Sequence, residues 1–294
     1  MLAPDVAATE GQLQQQVAAA QVVSQYCQAV VTLVPAYAAA ITDPTLTQTL
    51  TTVETDAQTW PSSLCSAYTQ QVPSLFVTFG GTFAAAAAAL SEDAQTLLAN
   101  PAEPGARGDL LQRLQSLLTS LQGLGQTATG LQSQLVAFDE TVQHDHTAIV
   151  DAQSRLAASL PNGGTIVEAV QSSLGLSFFS AQQLSPCVAI VQIDSDVSLK
   201  IVEVSQSAPE VVPVVLAQAL LTALQQQNEQ AIAALSAILE TWQALIAKYQ
   251  AVIQQLTQAE ESQLGSVVQQ LDIQTAAVDW SQLAQFAAQL TSNG

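Results

Sequence analysis

The chain has 294 residues and a formal net charge of −19, and only 10% of its residues are charged, whereas 49% are hydrophobic. Only five residues are basic. Because phosphate binding needs clustered Lys and Arg, this composition argues against nucleic acid as a partner. The same shortage argues against attraction to anionic lipid headgroups. Any membrane contact of this chain therefore has to be hydrophobic.

The first residues, MLAPDVAATEG, have neither a basic n-region nor an apolar h-region, so we expect no signal peptide in the sequence as it stands. The three cysteines, Cys27, Cys65 and Cys187, are odd in number and widely spaced. This pattern predicts small apolar residues rather than a disulfide framework or a zinc site.

The N-terminal third is predicted to be helical. Residues 6–41 have a helical composition, and the segment TLTQTLTTVETDAQTW begins a second helix with Thr and Asp as capping candidates. Pro61 and Pro73 are expected to kink or interrupt it. Uncharged runs at 11–42, 57–91 and 169–193 are long enough to span a bilayer. Each is broken by Pro, Gly or Gln, so none is predicted to be a transmembrane helix.

Two long segments carry apolar residues at alternating steps of four and three, the pattern of a coiled-coil seam. The first seam consists of Leu110, Leu114, Leu117, Leu121, Leu124, Ala128, Leu131, Leu135, Phe138, Val142, Ile149, Ala152 and Leu156. The second consists of Ala217, Leu221, Leu224, Ala231, Leu235, Ile238, Trp242, Leu245, Tyr249, Val252, Leu256 and Ala259. Two long antiparallel helices are therefore expected.

One polar residue interrupts each seam, Asp145 in the first and Asn228 in the second. Asp145 lies 16 residues before Pro161, and Asn228 lies 15 residues after Pro213. In an antiparallel pair the two side chains should stand at nearly the same height and face one shared polar layer. Such a layer can pin the register of the helices at some cost in stability. The alternative is a weak layer that lets the bundle rearrange.

The centre of the chain has a different pattern. Residues 187–193, CVAIVQI, and residues 197–204, VSLKIVEV, are rich in β-branched residues and flank the turn sequence DSD at 194–196. These features predict a β-hairpin. Near the C-terminus, QTAAVDWSQLAQFAAQL predicts a short amphipathic helix, whose expected anchors are Val278, Leu283, Phe286 and Leu290.

The fold class expected from these elements is mainly α. It is an elongated up-and-down bundle of about five long helices with a small head that contains the apolar β-hairpin, or tongue. The expected division is a helical tail bundle at residues 1–160 and 214–294, with the head at 161–213.

Signs of catalytic chemistry are weak. His144 and His146 lie two residues apart and so point to different faces of a helix, which favours a surface pair over a metal site. The sequence has no phosphate-binding Gly loop, no HExxH and no GxSxG. We therefore predict a protein that is not an enzyme and has no cofactor or metal. Trp60, Trp242 and Trp280 are interpreted as core residues rather than a lipid belt.

The order of elements resembles that of the α-helical pore-forming toxins of the haemolysin BL, non-haemolytic enterotoxin and cytolysin A type. Three stretches add to the likeness: DAQTWPSSLCSAYTQQVPSLFVTFGGTF, the first seam around LQSQLVAFDETVQHD, and AAVDWSQLAQFAAQL. The resemblance implies a secreted, soluble monomer that converts to a membrane-associated form. Its partners would be the lipid membrane of a target cell and possible homologous toxin components, in a homo- or hetero-oligomeric pore.

Carried onto this chain, the resemblance implies a set of membrane-inserting residues in the head. They are Phe178, Phe179, Val188, Ile190, Val191, Ile193, Val197, Leu199, Ile201, Val202 and Val204. A structural or adaptor coiled-coil bundle that binds partner proteins is the alternative function, and the head would then be an interaction patch.

Overall fold

The computed structural model describes residues 2–38, 41–103, 105–159, 170–172, 180–185, 188–193, 197–200 and 211–293. Helices dominate these ranges, as the sequence predicted. They are α1 Val6–Ala38, α2 Pro44–Thr59, α3 Val72–Ala99, α4 Ala106–Ser159, α5 Val211–Gln258, α6 Glu261–Leu271 and α7 Ile273–Asn293. The strands are β1 Val170–Ser172, β2 Ser180–Ser185, β3 Val188–Ile193 and β4 Val197–Lys200.

The path from α2 to α3 stays helical through both prolines. Asp43 caps α2: its side chain accepts a hydrogen bond from the backbone N–H of Thr45 at 2.8 Å. Two π-helical turns, Trp60–Leu64 and Ala67–Gln71, then lead into α3. Since proline has no N–H and its ring displaces the preceding turn, the helix widens at Pro61 instead of ending.

The predicted seams of α4 and α5 are confirmed as buried faces. Every seam residue with an apolar side chain is buried except Leu124, Val252 and Ala259, which are partly exposed. Arg107, at the start of α4, donates hydrogen bonds to the backbone carbonyls of Leu256 and Thr257 at the end of α5. A guanidinium at this place satisfies carbonyl groups that have no partner within their own helix.

The strands form one antiparallel sheet in the order β1-β4-β3-β2. In the β3–β4 pair, Val191 stands opposite Leu199 and Ile193 opposite Val197. The β2–β3 register shifts between Gln183 and Ser185. The outer strands of this sheet are therefore β1 and β2.

The terminal helix buries a different face from the predicted one. Of the four expected anchors, Leu283 is fully buried and Phe286 and Leu290 are partly exposed, whereas Val278 is 65% exposed. The buried face of α7 consists of Ile273, Ala276, Trp280, Leu283 and Ala287. Small alanines occupy it because α7 packs along α3 at short range, where a Cβ on Gly80 would stand 2.7 Å from the Cβ of Ala284.

The described chain divides into two compact units. Unit 1 contains Met1–Ala18, Ser66–Ser133 and Ala233–Gly294, and unit 2 contains Ala19–Cys65 and Gln134–Ile232. The core of unit 1 is rich in aromatic rings, among them Phe76, Phe79, Trp242, Tyr249 and Trp280. Unit 2 has buried polar side chains in its core, and it contains the four strands.

Candidate functional site

Six of the residues predicted to insert into membranes lie in the paired strands. Val188, Ile190, Val191 and Ile193 belong to β3, and Val197 and Leu199 belong to β4. The other five, Phe178, Phe179, Ile201, Val202 and Val204, lie outside the described residues. Membrane insertion by this set stays a prediction.

The polar residue of the second seam makes a contact that the sequence did not predict. Asn228 is fully buried, and its Nδ2 donates to Asp139 Oδ1 at 3.0 Å. Gln143 Nε2 donates to the other oxygen of the same carboxylate at 2.7 Å. Asn228 is thus hydrogen-bonded to Asp139 on α4. The sequence predicts Asp145 at this place instead.

The register of unit 2 explains this difference. Asp139 stands opposite Asn228, and His146, whose Nε2 lies 3.1 Å from Thr222 Oγ1, stands opposite Thr222. The two helices are antiparallel, as predicted, but Asn228 meets a residue six positions before Asp145. Six residues are about 9 Å of helix. Nearly equal distances along the chain from Pro161 and Pro213 therefore do not correspond to equal heights in the helix pair.

Asp145 is the second buried polar residue of the first seam, with 2% of its surface exposed. Asp56 on α2 is the carboxyl group whose charge acts on it. Burial raises the pKa of Asp145 to about 7, and the charge of Asp56 and the hydrogen bond to it add to the shift. This carboxyl keeps its proton far above the usual range for aspartate.

Sequence reasoning missed Asp56 and Asp139. Both flank a buried apolar residue on their own helix, Ala57 and Phe138 respectively, in a chain that has few charges. The sequence signal that could have identified them is a carboxylate directly next to an apolar residue of the buried helix face. Trp60, directly after α2, and Phe138 on α4 pack against each other with ring centroids 5.3 Å apart.

A groove of about 500 Å³ lies beside Asp145 in unit 2. It is lined by Pro44, Thr45, Gln48, Thr49 and Thr52 of α2 and by His144, Asp145 and Ala148 of α4. Since His144 is exposed and His146 is partly exposed, the two histidines are a surface pair, as predicted. Among the residues that the structure describes, no group of three His, Cys, Asp or Glu side chains could hold a metal ion.

The three tryptophans are fully buried, which confirms their prediction as core residues. In unit 1, Phe79 meets Trp280 edge to face at 4.5 Å, and Trp242 stacks on Trp280 at 6.2 Å. The backbone carbonyl of Leu2 accepts hydrogen bonds from Tyr249 Oη and Trp280 Nε1, each at 3.0 Å. No sequence pattern indicates this anchoring of the first residues.

Two helical stretches, Pro44–Ala99 and Leu216–Gln258, are long and apolar enough to cross a membrane by length and composition. The core helix of a soluble protein passes the same test, so length and composition alone do not identify either stretch as a membrane span. In each stretch 33% of the most apolar window is buried.

The fold is similar to that of several solved toxin structures. The chain aligns with the HblL1 toxin component of Bacillus cereus at a TM-score of 0.63 and 12% identity, covering 99% of this chain and 97% of that one. For the cytotoxin MakB of Vibrio cholerae the TM-score is 0.61 at 15% identity, with 99% and 94% covered. For soluble AhlB, from the tripartite alpha-pore forming toxin AHL of Aeromonas hydrophila, it is 0.59 at 13% identity, with 95% and 93% covered.

Comparison with protein-family models and with curated proteins gives no match. The likeness therefore rests on the arrangement of elements, and it extends over nearly the whole length of the chain. At the level of the fold it confirms the resemblance predicted from the sequence: the chain has the fold of α-helical pore-forming toxin components of the haemolysin BL and cytolysin A type.

Proposed function

We propose that this chain is a pore-forming toxin or a component of one, secreted in a soluble form. Its head, residues 161–213, inserts into target membranes while protomers assemble. The observation that carries the proposal is the fold likeness to toxin components, which spans nearly the whole chain.

The composition of β3 and β4 supports insertion. Together they contain six Val, Ile or Leu residues, and Lys200 is their one charged residue. Burying one such side chain is worth about 1.5–3 kcal/mol, so six of them could favour transfer to lipid by roughly 10 kcal/mol. The other residues of the head that we propose to insert are Phe178, Phe179, Ile201, Val202 and Val204.

The hydrogen bonding of the sheet supports the proposal that protomers assemble. Its outer strands, β1 and β2, have backbone groups on one side that the sheet does not pair. In lipid each unsatisfied backbone group costs several kcal/mol, so a lone four-stranded sheet is a poor membrane structure. Closure by neighbouring protomers, or conversion of the head to helix, removes this cost.

The partners in this proposal are a lipid membrane and homologous toxin components. AhlB belongs to a tripartite toxin, and by analogy we propose that this chain works with one or more chains of the same fold. With five basic residues against 24 acidic ones, electrostatic attraction to anionic lipid contributes little. Binding to anionic lipid should therefore not weaken when salt is added, because salt screens the repulsion between the acidic chain and the headgroups.

Liposome flotation and dye release test the proposal. The intact chain is compared with a variant whose head, 161–213, is replaced by a Gly/Ser turn, and with Val191→Asp. We expect binding and leakage from the intact chain, and a loss of at least tenfold in both variants, because a charge in the inserted strand is costly in lipid.

The matched control is Val136→Asp, which places the same charge at a valine on α4 that is already 40% exposed. It should keep the activity of the intact chain. If the intact chain neither binds nor permeabilises any lipid mixture or cell, alone or with its homologous components, the toxin assignment is wrong. A structural or adaptor bundle is then the better description.

A further inference from the structure

The groove between α2 and α4 in unit 2 combines a buried acid with a mostly apolar lining. Its volume of about 500 Å³ lies within the range of small-molecule sites. Asp145 lines the groove although only 2% of its surface is exposed, and Pro44 and Ala148 are apolar residues of the same lining. Because an unpaired charge is costly to bury, a carboxyl group in this place calls for a partner.

The described part of the chain does not supply that partner. No N–H group or alcohol hydroxyl of the described residues donates a hydrogen bond to the carboxyl group of Asp145. The one ion pair among them, between Arg113 and Asp93, lies in unit 1. On α4, Arg155 is ten residues from Asp145, or about 15 Å along the helix.

The histidines of α4 do not take this role either. His144 and His146 are the chain neighbours of Asp145, and consecutive residues of a helix do not face each other. His144 is exposed, and His146 Nε2 lies 3.1 Å from Thr222 Oγ1. The charge of Asp56, which acts on Asp145, is negative, so it favours a cation in the groove rather than replacing one.

Two threonines of the groove add hydrogen-bond acceptors to this acid. Thr49 Oγ1 donates to the backbone carbonyl of Thr45 at 3.0 Å, and Thr52 Oγ1 donates to that of Gln48 at 3.1 Å. A hydroxyl group has one proton, so both oxygens can only accept a further hydrogen bond. The groove therefore suits a group that has several donors and a positive charge.

We propose that this groove binds a small primary alkylamine in its ammonium form. The ammonium group brings one positive charge and three N–H donors, for which the Asp145 carboxylate and the hydroxyl oxygens of Thr49 and Thr52 are the acceptors. The alkyl chain lies along Pro44 and Ala148. This site goes beyond pore formation and does not depend on it.

The surroundings of the groove favour a small molecule over the lysine side chain of a partner protein. A standard protein interface buries about 800 Å² on each partner, and its core is rich in large apolar side chains. In unit 2 the exposed large apolar side chain among the described residues is Val136. It lies nine residues before Asp145, about 13 Å along α4, and does not line the groove.

Isothermal titration calorimetry with n-hexylammonium chloride at pH 8 tests the proposal. Burial raises the pKa of Asp145 to about 7, so its carboxyl group is mostly ionised at this pH. We expect one saturable site per chain with a dissociation constant of about 1 mM or lower, which is within reach of a ligand with about seven non-hydrogen atoms. Absence of saturable binding would overturn the proposal.

Two other ligands separate the ammonium site from general effects. 1-Hexanol has the same alkyl chain without the charge, and hexyltrimethylammonium has the charge without an N–H donor. Each should bind at least tenfold more weakly than n-hexylammonium. Equal binding of 1-hexanol would reduce the groove to an apolar surface. Equal binding of hexyltrimethylammonium would show only the attraction of cations to a chain of net charge −19. Either result contradicts the proposal.

A matched pair of variants assigns the site to Asp145. Asp145→Asn should weaken the binding of n-hexylammonium at least tenfold. Asp151→Asn removes the same charge at an exposed position six residues further along α4, and its affinity should stay within about twofold of that of the intact chain. Equal losses in the two variants would mean that only the overall charge matters, and the assignment would be wrong.

Ala148→Phe covers the case in which Asp145→Asn does not fold. Ala148 is a partly exposed residue of the lining, so a larger side chain fills the groove and leaves every charge in place. Saturable binding should disappear, and an unchanged affinity would place the amine elsewhere on the chain. A Gly-Lys-Gly peptide with acetylated and amidated ends is the last ligand. If it binds more tightly than n-hexylammonium, the occupant is a lysine of a partner protein and the small amine is the wrong ligand.

Discussion

A close helix contact in unit 1 allows a sharp test of the packing. A Cβ placed on Gly80 of α3 would stand 2.7 Å from Ala284 Cβ and 2.9 Å from the Trp280 carbonyl oxygen, both on α7. Real contacts of a Cβ are hardly ever shorter than 3.0 Å, so Gly80→Ala forces α3 and α7 apart. Overpacking of this kind costs about 1–3 kcal/mol.

The neighbouring residue supplies the control. Gly81 is exposed, and a Cβ there meets nothing within 4 Å. Both substitutions gain the helix propensity of alanine, about 1 kcal/mol in a helix interior, so this gain cancels when the two variants are compared. Gly81→Ala should therefore be more stable than the intact chain, and Gly80→Ala less stable than Gly81→Ala by about 1–3 kcal/mol.

Urea unfolding followed by circular dichroism measures the difference in the free energy of unfolding between Gly80→Ala and Gly81→Ala. At about 2 kcal/mol it corresponds to ~4–8 °C in the thermal midpoint. Adding Ala284→Gly to Gly80→Ala removes the 2.7 Å contact but leaves the one with the Trp280 carbonyl. Part of the loss should therefore return once the cost of Ala284→Gly alone, about 1 kcal/mol of helix propensity, is subtracted. If Gly80→Ala is as stable as Gly81→Ala, the close packing of α3 on α7 is not as described.

Three further predictions concern hydrogen bonds. Tyr249→Phe removes one of the two donors to the Leu2 carbonyl and should lower the free energy of unfolding by about 1 kcal/mol, measured in urea. Asn228→Ala leaves the Asp139 carboxylate with Gln143 and should cost about 1–3 kcal/mol, while adding Asp139→Ala should cost less than the sum of the single changes. Asp43→Ala removes the cap of α2 and should cost about 1 kcal/mol, whereas Asp43→Asn should retain most of it.

The sequence predicted the buried faces of the two longest helices because a heptad pattern states directly which side of a helix is apolar. It did not predict their register, since successive leucines such as Leu114, Leu117 and Leu121 make many alignments equally good. Only the polar contacts distinguish these alignments. Asp139, which makes the deciding contact, stands outside the seam and was not recognised.

The terminal helix shows a second limit of sequence reasoning. Hydrophobicity pointed to Val278, yet the packed face uses Ala276 and Ala287 around Trp280. Short interhelical distance favours small side chains over large apolar ones, and that distance depends on Gly80, almost 200 residues away. Such a choice depends on a tertiary contact that no local pattern contains.

The two units differ in what occupies their buried positions, and this difference bears on how the molecule could change shape. Unit 1 buries many aromatic rings, and the polar side chains in its core, Thr9, Gln16 and Thr69, are uncharged. Unit 2 places Asn228, Asp139 and Asp145 in comparable positions, where burial of polar groups consumes much of what their hydrogen bonds contribute. Because two of these three side chains are carboxyl groups, which cost more to bury than uncharged polar groups, local opening should need less free energy in unit 2. The strands β1 to β4 belong to this unit, so the part of the chain proposed to enter a membrane is joined to the interior that is easier to open.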